Sequence, residues 1–168
     1  MFEDLIECFP DFPKKGIIFR DIMPLLRNPI QFSSLIKKMS SEQIFSDAEA
    51  IIAIDSRGFI FGSCIALELK KPLITARKSG KLPGELISKK YDLEYGSNSL
   101  SIQTESIKPY SKYVIVDDLL ATGGTAKCVV DILNKLNKKV CGISVVIELK
   151  ELKGRDKFIC PVSSQILY

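Results

Sequence analysis

Short apolar runs alternate along the chain with stretches whose apolar residues recur at helical spacing. Residues 49–54 (EAIIAI) read as a buried strand, and 57–70 (RGFIFGSCIALELK) as the helix that follows it. Pro72 to Ala76 (PLITA) reads as a second strand, and Tyr113 to Val116 (YVIV) as a third, followed by a helix over about 123–136. In that helix Ala126, Val129, Val130, Leu133 and Leu136 recur at the 3, 4, 7 spacing of one buried face. Val140 to Glu148 (VCGISVVIE) reads as a fourth strand. Strands apolar on both faces, alternating with helices, predict an α/β fold: a doubly wound, mainly parallel sheet with flanking helices.

Two stretches depart from this pattern. Residues 9–29 (FPDFPKKGIIFRDIMPLLRNP) hold four prolines among aromatics, so they form neither a continuous helix nor a central strand. They are expected to make a small N-terminal hood, an ordered flap over one end of the sheet. Residues 79–106 (SGKLPGELISKKYDLEYGSNSLSIQTES) are polar and alternate only weakly, at Glu85 to Tyr91 and Ser99 to Gln103. A run of ~25 weakly structured residues inside a domain is either functional or disordered. With no internal repeat, low-complexity tract or linker-like shift, residues 1–168 read as a single domain.

Composition narrows the chemistry. Apolar residues make up 46% and charged residues 26%, a globular balance. The net charge of +4 (24 basic minus 20 acidic) is spread along the chain; it suits a small polyanionic substrate and makes no case for nucleic acid. No apolar run approaches the ~20 residues of a membrane span. The opening MFEDLIECFP carries acids where a secretory signal carries bases, so a cytoplasmic protein is expected. There is no histidine, which removes Ser–His and Cys–His nucleophile pairs, histidine metal sites and histidine general bases together. Five cysteines without a CxxC pair predict reduced thiols rather than a disulfide framework or zinc cluster. What remains is chemistry by positioning and charge, with carboxylates, Lys, Arg, hydroxyls and backbone amides.

The strongest signal is 113–125, YVIVDDLLATGGT. A buried strand ends in Asp117 and Asp118, then Ala121, Thr122, Gly123, Gly124 and Thr125 open a helix. In open α/β sheets ligands bind beyond the carboxyl ends of the strands, where these residues fall. Glycines let backbone amides approach a phosphate, the helix N-terminus adds partial positive charge, and Thr122 and Thr125 offer hydroxyls. The alternative is a glycine-rich turn with Thr as helix cap and the acids solvated. It explains the double acid poorly, because two carboxylates beside a phosphate loop make sense if they grip hydroxyls or a Mg²⁺. Neither GxxxxGK[ST] nor GxGxxG is present. Arginine usage points the same way: only Arg20, Arg27, Arg57, Arg77 and Arg155 stand against nineteen lysines, so these five are selected for a planar fork to phosphate or carboxylate.

VIVDDLLATGGTA resembles the phosphoribosyl-pyrophosphate (PRPP) signature of type I phosphoribosyltransferases, and LLATGGT is similar to its adenine-specific form. Four further blocks agree: FPDFPKKGIIFRDIMPLL (9–26), IDSRGFIFG (54–62), ARKSGKLPGE with YDLEYG (76–96) and ELKGR (151–155). The resemblance implies transfer of the phosphoribosyl group of PRPP to N9 of adenine, giving AMP and pyrophosphate. It implies that Asp117 and Asp118 hold the ribose hydroxyls, that 121–125 holds the 5′-phosphate, and that Mg²⁺ travels on PRPP with no direct protein ligand, near the two acids. Asp55, Ser56 and Arg57 fall in the family's pyrophosphate loop, which often contains a cis peptide at Asp55–Ser56. Arg77, Lys78 and Lys81 match its pyrophosphate-binding cations; read alone, each is a solvated surface charge.

For the base, the resemblance selects Phe19 to stack on adenine, Ile18 and neighbouring backbone to read the purine edge, and Arg20 beside the pocket. The alternative for Phe19 is a core aromatic beside Ile17 and Ile18. It makes 79–106 a mobile lid, with Glu94 the catalytic residue managing the N9 proton and Tyr95 ordering the closed lid. Residue type alone does not separate Glu94 from Glu85, Asp92 or Glu105. A homodimer is implied. Two competing readings are a 6-oxopurine transferase, which the GIIFR block at 16–20 disfavours, and a PRPP-sensing regulator, for whose DNA-binding domain 168 residues leave no room.

Overall fold

The computed structural model describes residues 2–92 and 97–168. The proline-rich beginning forms an antiparallel hairpin of β1 (Glu7–Pro10) and β2 (Ile18–Asp21), paired from Glu7↔Asp21 to Pro10↔Ile18. Its turn is closed by Asp11, at φ 58°, whose Oδ1 accepts the Gly16 N–H at 2.6 Å, and it contains a cis Phe12–Pro13 bond. A short α1 (Met23–Leu26) and a longer α2 (Pro29–Ser40) follow. Proline is tolerated at the start of α2, and Asn28 caps it by accepting from the Gln31 N–H at 3.1 Å. Ile22 and Leu25 are fully buried in the same core as α2, which docks the hood.

The expected strand–helix units follow. They are β3 (Ala50–Ile54), α3 (Gly58–Leu69) and β4 (Leu73–Lys78); then, beyond the polar stretch, β7 (Lys112–Leu120), α5 (Gly124–Lys135) and β8 (Lys139–Glu148). The seven-stranded sheet has the order β5-β6-β4-β3-β7-β8-β9, with parallel pairing from β4 through β9. Alternate side chains serve two cores. Ile52, Ile54, Tyr113, Ile115, Ile143 and Val145 meet α5 on one face. Ile51, Val114, Val116 and Val146 meet α2 and α3 on the other. A sheet buried on both faces gives the uninterrupted apolar runs seen in the sequence.

Two features differ from the sequence reading. Within 79–106, the two weak alternations are real strands, β5 (Leu86–Asp92) and β6 (Ser97–Gln103), followed by α4 (Thr104–Ile107). They pair antiparallel with each other and continue the sheet through Arg77↔Ser101 and Lys78↔Leu100. Leu100 and Ile102 are buried, and Lys89 of β5 pairs with Asp131 of α5. The alternation was weak because serines occupy much of one face; Ser101, 2% exposed, meets Ser88 at 2.7 Å between the strands. The last strand, β9 (Val162–Leu167), lies at the opposite edge with Ser163, Ser164 and Gln165 in it, too polar to read as a strand. All five cysteines are free; Cys128 is buried in α5, whereas Cys64 is half-buried on α3.

Candidate active site

β7 runs buried as far as Val116 and delivers its two acids at the carboxyl edge of the sheet. Asp118 is 9% exposed and takes an ion pair from Arg57 Nε at 2.7 Å. Asp117 Oδ1 accepts the Asp118 N–H at 2.9 Å. Burial, reinforced by the neighbouring Asp118 charge, raises the proton affinity of Asp117 well above that of an ordinary carboxyl, with Arg57 partly opposing this. Gly58 makes the arrangement possible: a Cβ there would stand 2.9 Å from both Asp117 Oδ1 and Val116 O. Only glycine lets α3 start this close to the end of β7.

The chain then turns through Ala121, Thr122 and Gly123 into α5. Gly123 is left-handed at φ 79°, and no side chain caps the helix. The reading of Thr as helix cap therefore does not hold, and the amides of the first turn are left to face an anion. A cavity of about 350 Å³ sits here, lined by Asp55, Ser56, Arg57, Lys78, Asp117, Asp118 and the run 119–126. The Asp55–Ser56 bond is cis, as the resemblance implied. Asp55 N donates to Ala76 O at 2.9 Å, tying this loop to the end of β4.

Beside it opens a cleft of about 740 Å³ lined by Ile18, Phe19 and Arg20 of the hood and by Leu149, Leu152 and Tyr168. Arg57, Leu119, Ala121 and Thr122 line both spaces, so the two are adjacent. Phe19 is braced edge-on by Phe12, with ring centres 5.3 Å apart, and Arg57 lies 5.7 Å from its centre. Pro10 stands opposite Ile18 and has no N–H to offer the Ile18 carbonyl. Arg20 stacks 4.0 Å over the Tyr168 ring and donates to Cys8 Sγ at 2.7 Å. The walls are apolar with a few polar groups, as a flat heteroaromatic ligand requires.

Two of the predicted cations lie outside both spaces. Arg77 turns to Asp55 Oδ2 at 3.3 Å and to Lys81 O at 3.4 Å, lying 5.6 Å from the Phe59 ring centre, and Lys81 is exposed. Glu94 and Tyr95 lie outside the described residues. Among the described residues no cluster of three or more Cys, Asp or Glu is arranged to hold a metal; the acid oxygens of Asp117 and Asp118 are hard donors of the kind Mg²⁺ accepts. A larger cleft of about 790 Å³, behind α5 near Cys141 and Cys160, contains none of the predicted site residues. It lacks the convergent acids, arginine and helix N-terminus that make the other two chemically specific.

Sequence reasoning missed Tyr168, Leu149 and Leu152 as cleft walls, because strand-end residues carry no local signature. It also missed what supports the phosphate loop. Gly154 lies against it so closely that a Cβ would fall 2.2 Å from Ala121 O. The ELKGR block and the scarcity of arginine were the available signals.

Residues 26–166 match the phosphoribosyl transferase domain family. The chain is 58% identical over 165 residues to an adenine phosphoribosyltransferase of Prochlorococcus marinus (strain MIT 9515), covering 98% of this chain and 96% of that one. It superposes with a TM-score of 0.91 and 38% identity on the Saccharomyces cerevisiae adenine phosphoribosyltransferase, solved with an imino-altritol bisphosphate and adenine (98% and 96% covered). The Giardia lamblia enzyme, solved with 9-deazaadenine, gives the same TM-score at 31% identity (99% and 96% covered). With the phosphate loop, the paired acids and the hooded cleft all in place, this chain belongs to the phosphoribosyltransferase family, in its adenine phosphoribosyltransferase branch.

Proposed function

We propose that this chain salvages adenine: it transfers the 5-phosphoribosyl group of PRPP to N9 of adenine, releasing AMP and pyrophosphate. The observation that carries this reading is the adjacency of the two spaces, a polar cavity at the end of β7 that shares Arg57, Leu119, Ala121 and Thr122 with an apolar cleft under Phe19. The bond between N9 and C1′ forms as the bond from C1′ to the pyrophosphate oxygen breaks, and N9 gives up its proton.

The amides of 121–125 and the Thr122 and Thr125 hydroxyls hold the 5′-phosphate, and Asp117 and Asp118 take the ribose hydroxyls. Asp55, Ser56, Arg57 and Lys78 surround the departing pyrophosphate, with Arg77 and Lys81 brought in only by movement of the following segment. Charge stabilisation of this leaving group supplies most of the rate. Asp117 and Asp118 would lie near a Mg²⁺ carried by PRPP, which would neutralise part of the same charge. Phe19 stacks on adenine, with Ile18 backbone and Arg20 at its edge. A base that mismatches a buried hydrogen-bonding edge is rejected by about 10⁴-fold. Glu94 handles the N9 proton and Tyr95 orders the lid around it; Glu94→Ala should lower kcat by about 10²- to 10⁴-fold with a smaller change in KM. Wild-type kcat in that variant would remove the role.

We further read the protein as a cytoplasmic homodimer. Among the described residues no helix is long and apolar enough to cross a membrane, and α3 exposes Ile60 and Leu67, the latter 81% accessible, as an unpartnered apolar strip. Light scattering on the eluting protein tests the dimer. For the reaction, turnover with PRPP and Mg²⁺ is followed with adenine, hypoxanthine and guanine in parallel. AMP from adenine alone, abolished by EDTA, is expected; IMP or GMP would overturn the reading of the base cleft.

A further inference from the structure

We propose that Arg155, through its fork onto Glu148, is a positioning residue that sets the phosphate loop 121–124 relative to the base cleft. The proposal rests on the site reading above and extends it to a side chain that touches neither space.

The phosphate loop is supported from behind by backbone rather than by side chains. A Cβ on Gly154 would stand 2.2 Å from Ala121 O and 3.0 Å from Gly123 N, and one on Gly123 would stand 2.8 Å from Gly154 O. Two backbones in such contact move together, because close-packed atoms transmit displacement. A sub-ångström shift at Gly154 therefore becomes a shift of the amides that receive the phosphate.

Gly154 has no side chain with which to fix itself. It opens the 3-10 turn Gly154–Lys157, entered through Lys153 at φ 50°. The backbone hydrogen bonds of this turn run only to residues three positions away: Lys153 N to Lys150 O, Asp156 N to Lys153 O, Phe158 N to Arg155 O. Arg155 is the side chain that reaches out of it. Its Nε donates to Glu148 Oε1 at 2.9 Å and its Nη2 to Glu148 Oε2. Nη1 reaches Val162 O, and Nη2 also reaches Ser164 Oγ at 3.1 Å, while Ser164 Oγ donates to Glu148 Oε2 at 2.7 Å. Glu148 is 4% exposed, so its carboxylate is a fixed post rather than a solvated surface charge.

The sheet edge does not need this fork. β8 and β9 are already paired from Ile143↔Val162 to Glu148↔Leu167. The turn bearing Gly154 is also held by Phe158 just after it, which packs against the core and beside Gly123, and Arg155 is the side chain that joins it to β8 and β9. Between post and turn lie Leu149 and Leu152, which line the base cleft, and Leu149 N donates to Leu120 O at 2.9 Å. One segment thus backs both halves of the site, with the fork fixing the phosphate half. A lysine carries the charge but cannot hold a carboxylate in two places and a carbonyl in a third.

The test compares wild-type protein with Arg155→Met and Arg155→Lys. Three quantities are measured on each: KM for PRPP, KM for adenine, and the affinity for ribose 5-phosphate by calorimetry, alongside the unfolding midpoint. The expected result is a PRPP KM about 10- to 100-fold higher in both variants, with ribose 5-phosphate weakened in step and the adenine KM near wild type. Arg155→Lys should recover unfolding stability without recovering PRPP binding. If both variants lose stability alone, with PRPP KM and ribose 5-phosphate affinity at wild-type values, the fork is structural and the proposal is wrong. Should Arg155→Met not fold, Arg155→Lys carries the same comparison. Wild-type protein that binds ribose 5-phosphate but makes no AMP would instead overturn the activity reading.

Discussion

Asp118 and Arg57 show how few atoms this site depends on. Arg57 Nε meets Asp118 Oδ2 at 2.7 Å while the same guanidinium lies 5.7 Å from the Phe19 ring centre, so one side chain borders the acids, the polar cavity and the cleft under Phe19. Asp118→Asn keeps the shape and removes the charge that orients Arg57. A hydrogen bond to a charged group contributes about 1.5–3 kcal/mol, so kcat/KM for PRPP should fall by about 10- to 100-fold. Unchanged kcat/KM in a steady-state assay would show that Asp118 neither orients Arg57 nor holds ribose. Residue chemistry was well marked in the chain at this scale. The double acid and ATGGT stood out, and of the five arginines Arg57, Arg77 and Arg155 do meet carboxylates, Arg155 by a planar fork, whereas Arg20 meets Cys8 and the Tyr168 ring. Arg77 was marked too, but its partner is Asp55, a pairing no spacing in the sequence could indicate.

Among elements, the hood illustrates function resting on docking. β1 is exposed along its length, and β2 is held over the cleft because Ile22 and Leu25, directly after it, are buried beside α2. Truncation of a buried leucine costs about 2–5 kcal/mol. Leu25→Ala should lower unfolding free energy by about that amount in urea titrations and raise the adenine KM more than the PRPP KM, because Phe19 loses its fixed position while the loop after β7 does not. Equal changes in both constants would contradict this division of labour. The prolines of 9–29 told what this stretch is not; that it pairs as a hairpin depends on the turn at Asp11 and Gly16. β5 and β6 were faint for a related reason. Serines alternate with their apolar residues, and the neighbour of β6, β4, is supplied only by the fold.

At the scale of the whole molecule, buried carboxylates join distant parts of the chain and give stability a pH dependence. Glu42 accepts from Ser144 Oγ at 2.9 Å, from Ser163 Oγ at 2.5 Å and from Gln165, tying the start of the 3-10 turn before β3 to β8 and β9. Burial outweighs these bonds and pushes its carboxyl up from 4.5. A raised folded-state value means a stabilising contribution that is present below the unfolded value and lost as pH rises through the folded one. Glu148 runs the other way: Arg155 holds it below its ordinary 4.5, so its contribution is present above that value and lost as pH falls through the folded one. Glu42→Gln should therefore remove the loss of stability seen from pH 4.5 upward while leaving the acid-side loss, measured by urea midpoints across pH. An unaltered slope would show that Glu42 titrates in the native protein as it does in the unfolded chain. Local chemistry and periodicity determined the α/β class, the succession β3, α3, β4, β7, α5 and β8, the glycine-rich turn after the paired acids and the absence of histidine chemistry. These are legible because each is encoded within a dozen residues, by burial on both faces or by a glycine that a close approach demands. The tertiary structure alone decided that β9 and the β5–β6 hairpin close the two edges, that Tyr168 and Leu152 wall the base cleft, and that Gly154 supports residues 121–124. Those contacts join segments up to a hundred residues or more apart, and a sequence records such a meeting only when both partners have been folded against each other.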